Sequence, residues 1–143
     1  DELLWERLLR EMDSSELDVL QAPIMGSDRS EEVIQQARTN AKRCGVSQHI
    51  QFAHTDLQQL EAPATCGVLL CNPPYGERLG SDRELGAFYK LLGNVLKSRF
   101  KGWKAYVLSG NKELSRTIGL KSSRQIPVYN GAIPCQLMEY ELY

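Results

Sequence analysis

Residues 68–75 read VLLCNPPY and join a continuous apolar run to a rigid polar turn. Such a run is typical of a parallel strand that is covered on both faces. Two successive prolines fix two φ angles and remove two N–H donors, so the carbonyls of the turn point outward. An Asn oxygen and a Pro carbonyl about 3 Å from an exocyclic amine orient its lone pair toward an electrophilic methyl group, and an aromatic ring offers a stacking surface. The stretch therefore predicts a site for methylating a planar amine, with a plain turn as the alternative; its residues are Asn72, Pro73, Pro74 and Tyr75.

Helical and extended patterns alternate on both sides of this stretch. Apolar spacing predicts helices over residues 1–12, from the N-cap Ser30 to Gly45, over 82–99 and over 111–118. Strands are predicted at 24–25, 50–54, 68–71, 103–108, 122–129 and 134–143, the last two joined at Asn130-Gly131. This order indicates an α/β fold with a mostly parallel sheet, helices on both faces and a C-terminal antiparallel hairpin.

Length and composition restrict the function further. A chain of 143 residues with 42% hydrophobic content suits one domain, residues 1–143. Its net charge of −1 argues against a self-sufficient polyanion binder, so nucleic-acid affinity must come from a local patch or another domain. No segment reaches the roughly 20 apolar residues of a membrane span. The cysteines form no C-x-x-C pair and His49 and His54 lack metal-ligand spacing, which favours core thiols of a cytoplasmic protein without a metal site.

Two acidic residues follow predicted strands as the tetrapeptide does. Asp28 comes after the strand at 24–25, and Asp56 comes after the strand at 50–54. Ligands of open α/β sheets bind beyond the carboxyl ends of the strands, where one carboxylate can accept ribose hydroxyls and another an adenine amine. Together with Asn72 these residues predict a nucleoside pocket at one sheet edge. Taken singly, Asp28 also fits a helix-entry turn and Asp56 a loop.

The order and spacing of these motifs resemble a known family. The stretch from Gly26 through residues 72–79, continuing to Trp103, 109–111 and 129–131, is similar to Rossmann-like class I S-adenosylmethionine-dependent methyltransferases with an Asn-Pro-Pro-Tyr motif. Within that class it resembles the THUMP-associated RNA methyltransferases, which modify the exocyclic amine of guanine in 23S ribosomal RNA. The resemblance implies S-adenosylmethionine as cofactor and RNA as partner. It implies ribose binding by Asp28 and Arg29, adenine binding by Asp56 and Leu57, catalysis by residues 72–75, and substrate binding by Tyr75, Gly76, Glu77 and Arg78.

One part of the family pattern is missing from the sequence. These enzymes have a Gly-rich loop after their first strand, and no glycine precedes Gly26 here. We therefore expect an N-terminally truncated methyltransferase domain without its first strand, inactive alone and able to self-associate. The alternatives are an adenine or protein-glutamine methyltransferase, which share the tetrapeptide, and a non-catalytic nucleic-acid-binding module of the same fold.

Overall fold

The structure is a computed structural model that describes residues 1–15, 19–75 and 82–143. Within these residues the chain forms two compact units, residues 1–54 and residues 55–143, and each is described by itself. Across the described ranges, no helix combines the length and the apolar character that a membrane crossing requires.

The first unit contains two parallel strands and two helices: α1 (Glu2–Ser14), β1 (Ile24–Asp28), α2 (Glu31–Arg43) and β2 (Ile50–His54). Helix α2 begins where the sequence predicted, because the Ser30 hydroxyl accepts a hydrogen bond from the Val33 amide at 3.4 Å. It ends beside Gly45, whose φ of 74° suits glycine. Ile34 and Ala41 are its buried residues. β1 extends three residues beyond the strand predicted at 24–25 and ends at Asp28.

The second unit is a four-stranded mixed sheet with two helices: β3 (Gly67–Cys71), α3 (Asp82–Arg99), β4 (Trp103–Ser109), α4 (Lys112–Thr117), β5 (Arg124–Asn130) and β6 (Ile133–Glu141). The strand order is β3-β4-β6-β5. β3 and β4 run parallel, and β6 runs antiparallel to both β4 and β5. This arrangement confirms the predicted α/β fold with its C-terminal hairpin.

The core of this unit lies between α3, α4 and one face of the sheet. Its most buried residues are Tyr89, Leu96, Ala105, Val107, Ile118 and Tyr140. The Trp103 ring lies directly against the Gly67 backbone on the neighbouring strand, where an added Cβ would come within 2.6 Å of the ring. The indole N–H of Trp103 donates to the Ala64 carbonyl at 2.9 Å, which fixes the entry into β3.

Two expectations about burial are wrong. β3 is not covered on both faces, since Val68 is 66% and Leu70 71% exposed while Leu69 packs on the core. Among the described strands β3 pairs only with β4 and forms an edge of its sheet. Cysteines were expected in the core, but Cys44 and Cys66 are exposed.

Candidate active site

The tetrapeptide begins at the carboxyl end of β3, one residue after Cys71. Residues 72–75 form neither helix nor strand, as expected of a stretch with two prolines. Asn72 is exposed, Pro73 is buried, and Pro74 and Tyr75 are half-buried. Pro73 and Tyr75 therefore anchor the loop, while the Asn72 side chain is open to solvent.

Tyr75 reaches the hairpin at the far end of the chain. Its hydroxyl oxygen accepts a hydrogen bond from Asn130 Nδ2 at 2.7 Å and lies 3.6 Å from the Cys135 Sγ donor. Its ring lies against Gly110, where an added Cβ would come within 3.0 Å of Cδ2 and Cε2. The sequence pattern predicts only a turn at residues 130–131 and does not indicate these contacts. Asn130 and Cys135 lie 55 and 60 residues from Tyr75, so no local signal marks these contacts.

The titratable side chains around Cys71, the residue that directly precedes the loop, are neutral. Burial raises the pKa of the Cys71 thiol to about 12 and that of the Tyr140 hydroxyl to about 12, so both stay protonated at neutral pH. The Tyr89 hydroxyl bonds the buried Ser109 hydroxyl at 3.1 Å, and Ser109 Oγ also accepts from the Asn111 amide at 3.2 Å. The protonated Cys71 and Tyr140 are unsuited to act as a general base.

Asp28 is half-buried at the last position of β1. Its Oδ1 accepts a hydrogen bond from the Ser30 amide at 2.8 Å, which is the helix-entry role that the sequence also allowed. A carboxylate has a second oxygen that can accept ligand hydroxyls. Its neighbour Arg29 is exposed, and the Arg29 carbonyl is hydrogen-bonded to His54 Nε2 at 2.8 Å. The chemistry of Asp28 thus suits both the helix-entry role and a ribose contact.

Asp56 has a similar local arrangement in the second unit. It is exposed and caps the short 3₁₀ helix Leu57–Gln59, with Oδ1 accepting from the Gln58 amide at 2.8 Å. Leu57 is half-buried and packs on the core. The guanidinium of Arg99 holds this segment through the carbonyls of Gln58 at 2.7 Å and Leu60 at 3.0 Å.

The expected meeting of Asp28, Asp56 and Asn72 at one sheet edge remains a prediction. The expected substrate residues Gly76, Glu77 and Arg78 lie outside the described residues. In the described ranges, no cluster of three or more His, Cys, Asp or Glu side chains could hold a metal ion.

Comparison with known proteins identifies the family. The sequence profile of the RMKL-like methyltransferase domain matches residues 3–139. The chain belongs to the RMKL-like methyltransferase domain family. This membership confirms the resemblance of the sequence to a methyltransferase and agrees with the α/β fold of this RMKL-like domain.

Two curated relatives share most of this RMKL-like domain. The Synechocystis protein slr0064 is provisionally named an RNA methyltransferase. It is 50% identical over 143 residues, which are 100% of this chain and 37% of that protein. The ribosomal RNA large subunit methyltransferase K/L of Syntrophotalea carbinolica is 39% identical over 145 residues, covering 97% of this chain and 20% of that protein. The chain therefore spans only 37% and 20% of the lengths of these two relatives.

A solved structure has the same fold. SMU.472, provisionally described as a methyltransferase and crystallised in complex with SAH, superposes with a TM-score of 0.86 at 28% identity. The superposition covers 100% of this chain and 38% of that chain.

Proposed function

We propose that this RMKL-like domain belongs to an S-adenosylmethionine-dependent enzyme that methylates the exocyclic amine of guanine in large-subunit ribosomal RNA. The observation that carries the proposal is the loop of residues 72–75, with Asn72 exposed at the carboxyl end of β3 and Tyr75 anchored behind it. Family membership and two relatives named as RNA methyltransferases support the reaction class and the RNA substrate.

The cofactor would be held through its nucleoside half. Asp28 with Arg29 would accept the ribose hydroxyls, and Asp56 with Leu57 would contact the adenine. The second oxygen of each carboxylate suits these contacts, because Oδ1 of each is oriented by a backbone amide at 2.8 Å. S-adenosylmethionine supplies a methyl group on a sulfonium, which is reactive enough to be attacked by a neutral amine.

Residues of the loop would align the target amine. The side-chain oxygen of Asn72 and the backbone carbonyl of Pro73 would accept the two amine hydrogens. These two hydrogen bonds would direct the nitrogen lone pair toward the methyl carbon. Tyr75 would stack on the base, and Gly76, Glu77 and Arg78 would contact the substrate further along the loop. The amine loses a proton to solvent after attack, so the protonated Cys71 and Tyr140 nearby do not impede the reaction.

The proposal is tested by product analysis with the intact enzyme that contains this domain. The enzyme is incubated with S-adenosylmethionine carrying a labelled methyl group and unmodified large-subunit ribosomal RNA, and the digested nucleosides are separated by mass spectrometry. Labelled N2-methylguanosine is expected, and the Asn72→Ala variant serves as the inactive control.

Other products would overturn parts of the proposal. Label in N6-methyladenosine would show that the target base is adenine and not guanine. Label in the protein fraction would favour glutamine methylation. A base inside a duplex must be extruded before its amine is reached, so single-stranded and duplex forms of the same RNA segment are compared. The absence of label from RNA, DNA and protein would favour a non-catalytic binding module.

A further inference from the structure

Tyr75 is held by a hairpin that lies far from it in sequence. Asn130 Nδ2 donates to Tyr75 Oη at 2.7 Å, and the buried Cys135 thiol lies 3.6 Å from the same oxygen. We propose that Asn130, at the tip of the β5–β6 hairpin, is a positioning residue that fixes the Tyr75 ring and thereby the loop of residues 72–75 for methyl transfer. This inference rests on the proposed function and adds a residue outside the tetrapeptide to its site.

The hairpin presents Asn130 on a rigid support. β5 and β6 are joined by residues 131–132, and Gly131 has a φ of 61°, which a two-residue hairpin turn needs at its first position. Asn130 pairs with Ile133, and Val128 pairs with Cys135. Since alternate residues of a strand share a face, Asn130 and Cys135 lie on the same face of the hairpin. Their positions are thus fixed by the strand pairing.

Gly110 packs against the Tyr75 ring and so restricts it from the side. An added Cβ at this position would lie 3.0 Å from Tyr75 Cδ2 and Cε2 and 3.2 Å from Ile133 Cγ2. A larger residue would therefore displace either the ring or the hairpin. With the hydroxyl bonded at one end and the ring packed on glycine, Tyr75 has few rotamers left. Because the Tyr75 ring is already held in place, less side-chain conformational entropy is lost when a base stacks on it.

The exposure of Asn130 separates this role from a purely structural one. Its side chain is open to solvent, so its removal leaves no buried donor unpaired and disturbs the fold little. The adjacent Tyr129 is 78% exposed and provides a matched tyrosine whose hydroxyl is not part of this contact. Gln125 of the same strand is an exposed amide that bonds locally to Ser122 Oγ at 2.9 Å, and it provides a matched amide.

The test is a double-mutant cycle in the intact enzyme. Tyr75→Phe and Asn130→Ala should each lower kcat roughly five- to tenfold, the range for one lost hydrogen bond, with the KM for S-adenosylmethionine unchanged. The double variant should be no slower than the slower single variant, because both changes remove the same interaction. Tyr129→Phe and Gln125→Ala should keep the original kcat.

A second measurement does not depend on activity. In NMR spectra of enzyme with ring-labelled tyrosine, the signal absent from Tyr75→Phe belongs to Tyr75, and it should shift in Asn130→Ala but not in Gln125→Ala. Independent, multiplying losses of kcat, or an unshifted Tyr75 signal with normal kcat, would overturn the positioning role. Failure of the unmodified enzyme to methylate RNA would instead overturn the proposed function, while the Tyr75 signal would still report the contact.

Discussion

Asn72 combines solvent exposure with a rigid attachment, because the residue that follows it, Pro73, is buried. In the intact enzyme, Asn72→Ala should lower kcat about a hundredfold or more while the affinity for S-adenosylmethionine changes little. The side chain is proposed to act on the attacking amine and not on the bound cofactor. Single-turnover rates at saturating cofactor and a separate cofactor titration check this. A near-normal rate would remove the loop from the mechanism.

The four cysteines differ in their environments, and their reactivity should differ accordingly. Cys44 and Cys66 are exposed, whereas burial raises the pKa of Cys71 to about 12. Because the thiolate is the nucleophile, iodoacetamide at pH 8 should modify Cys44 and Cys66 rapidly and Cys71 slowly. Peptide mapping by mass spectrometry over a time course measures the three rates. Equal rates would show that the Cys71 site is open to solvent.

At the scale of elements, helices α3 and α4 approach each other closely at a glycine. A Cβ added to Gly93 would lie 1.8 Å from the Ile118 carbonyl oxygen, whereas a Cβ on Gly86 of the same helix meets nothing within 4 Å. Gly93→Ala should lower the free energy of unfolding by about 1–3 kcal/mol or more, because α4 must move. Gly86→Ala should raise it by about 0.5–1 kcal/mol through helix propensity alone.

Urea unfolding followed by circular dichroism measures both glycine variants under the same conditions. A similar change in both would mean that helix propensity alone governs the two positions and that α3 and α4 are not tightly packed there.

At the scale of the whole molecule, the chain has candidate acceptors for the nucleoside but no glycine before Gly26 to form a Gly-rich loop. The 143-residue chain alone should therefore bind S-adenosylmethionine weakly and transfer no methyl group. Isothermal titration checks this, with the intact enzyme as the control. Micromolar binding with one-to-one stoichiometry by the chain alone would show that such a loop is dispensable.

The edge position of β3 leads to a second prediction about the isolated chain. Within the described residues β3 pairs on one side only, and Val68 and Leu70 are largely exposed. An exposed apolar edge strand is a template for pairing with another chain. The isolated chain should therefore self-associate as its concentration rises, and sedimentation velocity over a concentration series measures this.

Local sequence patterns were sufficient to predict the α-helices and strands and to locate the loop of residues 72–75. Apolar spacing predicted the six strands and four α-helices of the described ranges but not the 3₁₀ helices Ser47–His49 and Leu57–Gln59. Ser30 and Gly45 marked both ends of α2, because capping depends on neighbours a few residues apart. The same holds for the tetrapeptide, since two successive prolines after an apolar run lack the N–H donors that would continue the strand pairing.

Tertiary structure decided how these pieces meet. The bond from Asn130 to Tyr75 joins positions 55 residues apart, and the close approach of Gly93 to Ile118 depends on the packing of two helices. The exposed face of β3 likewise depends on which elements cover a strand, which an apolar run cannot specify. Contacts of this kind arise from the free energy of packing the whole unit, so no local pattern encodes them.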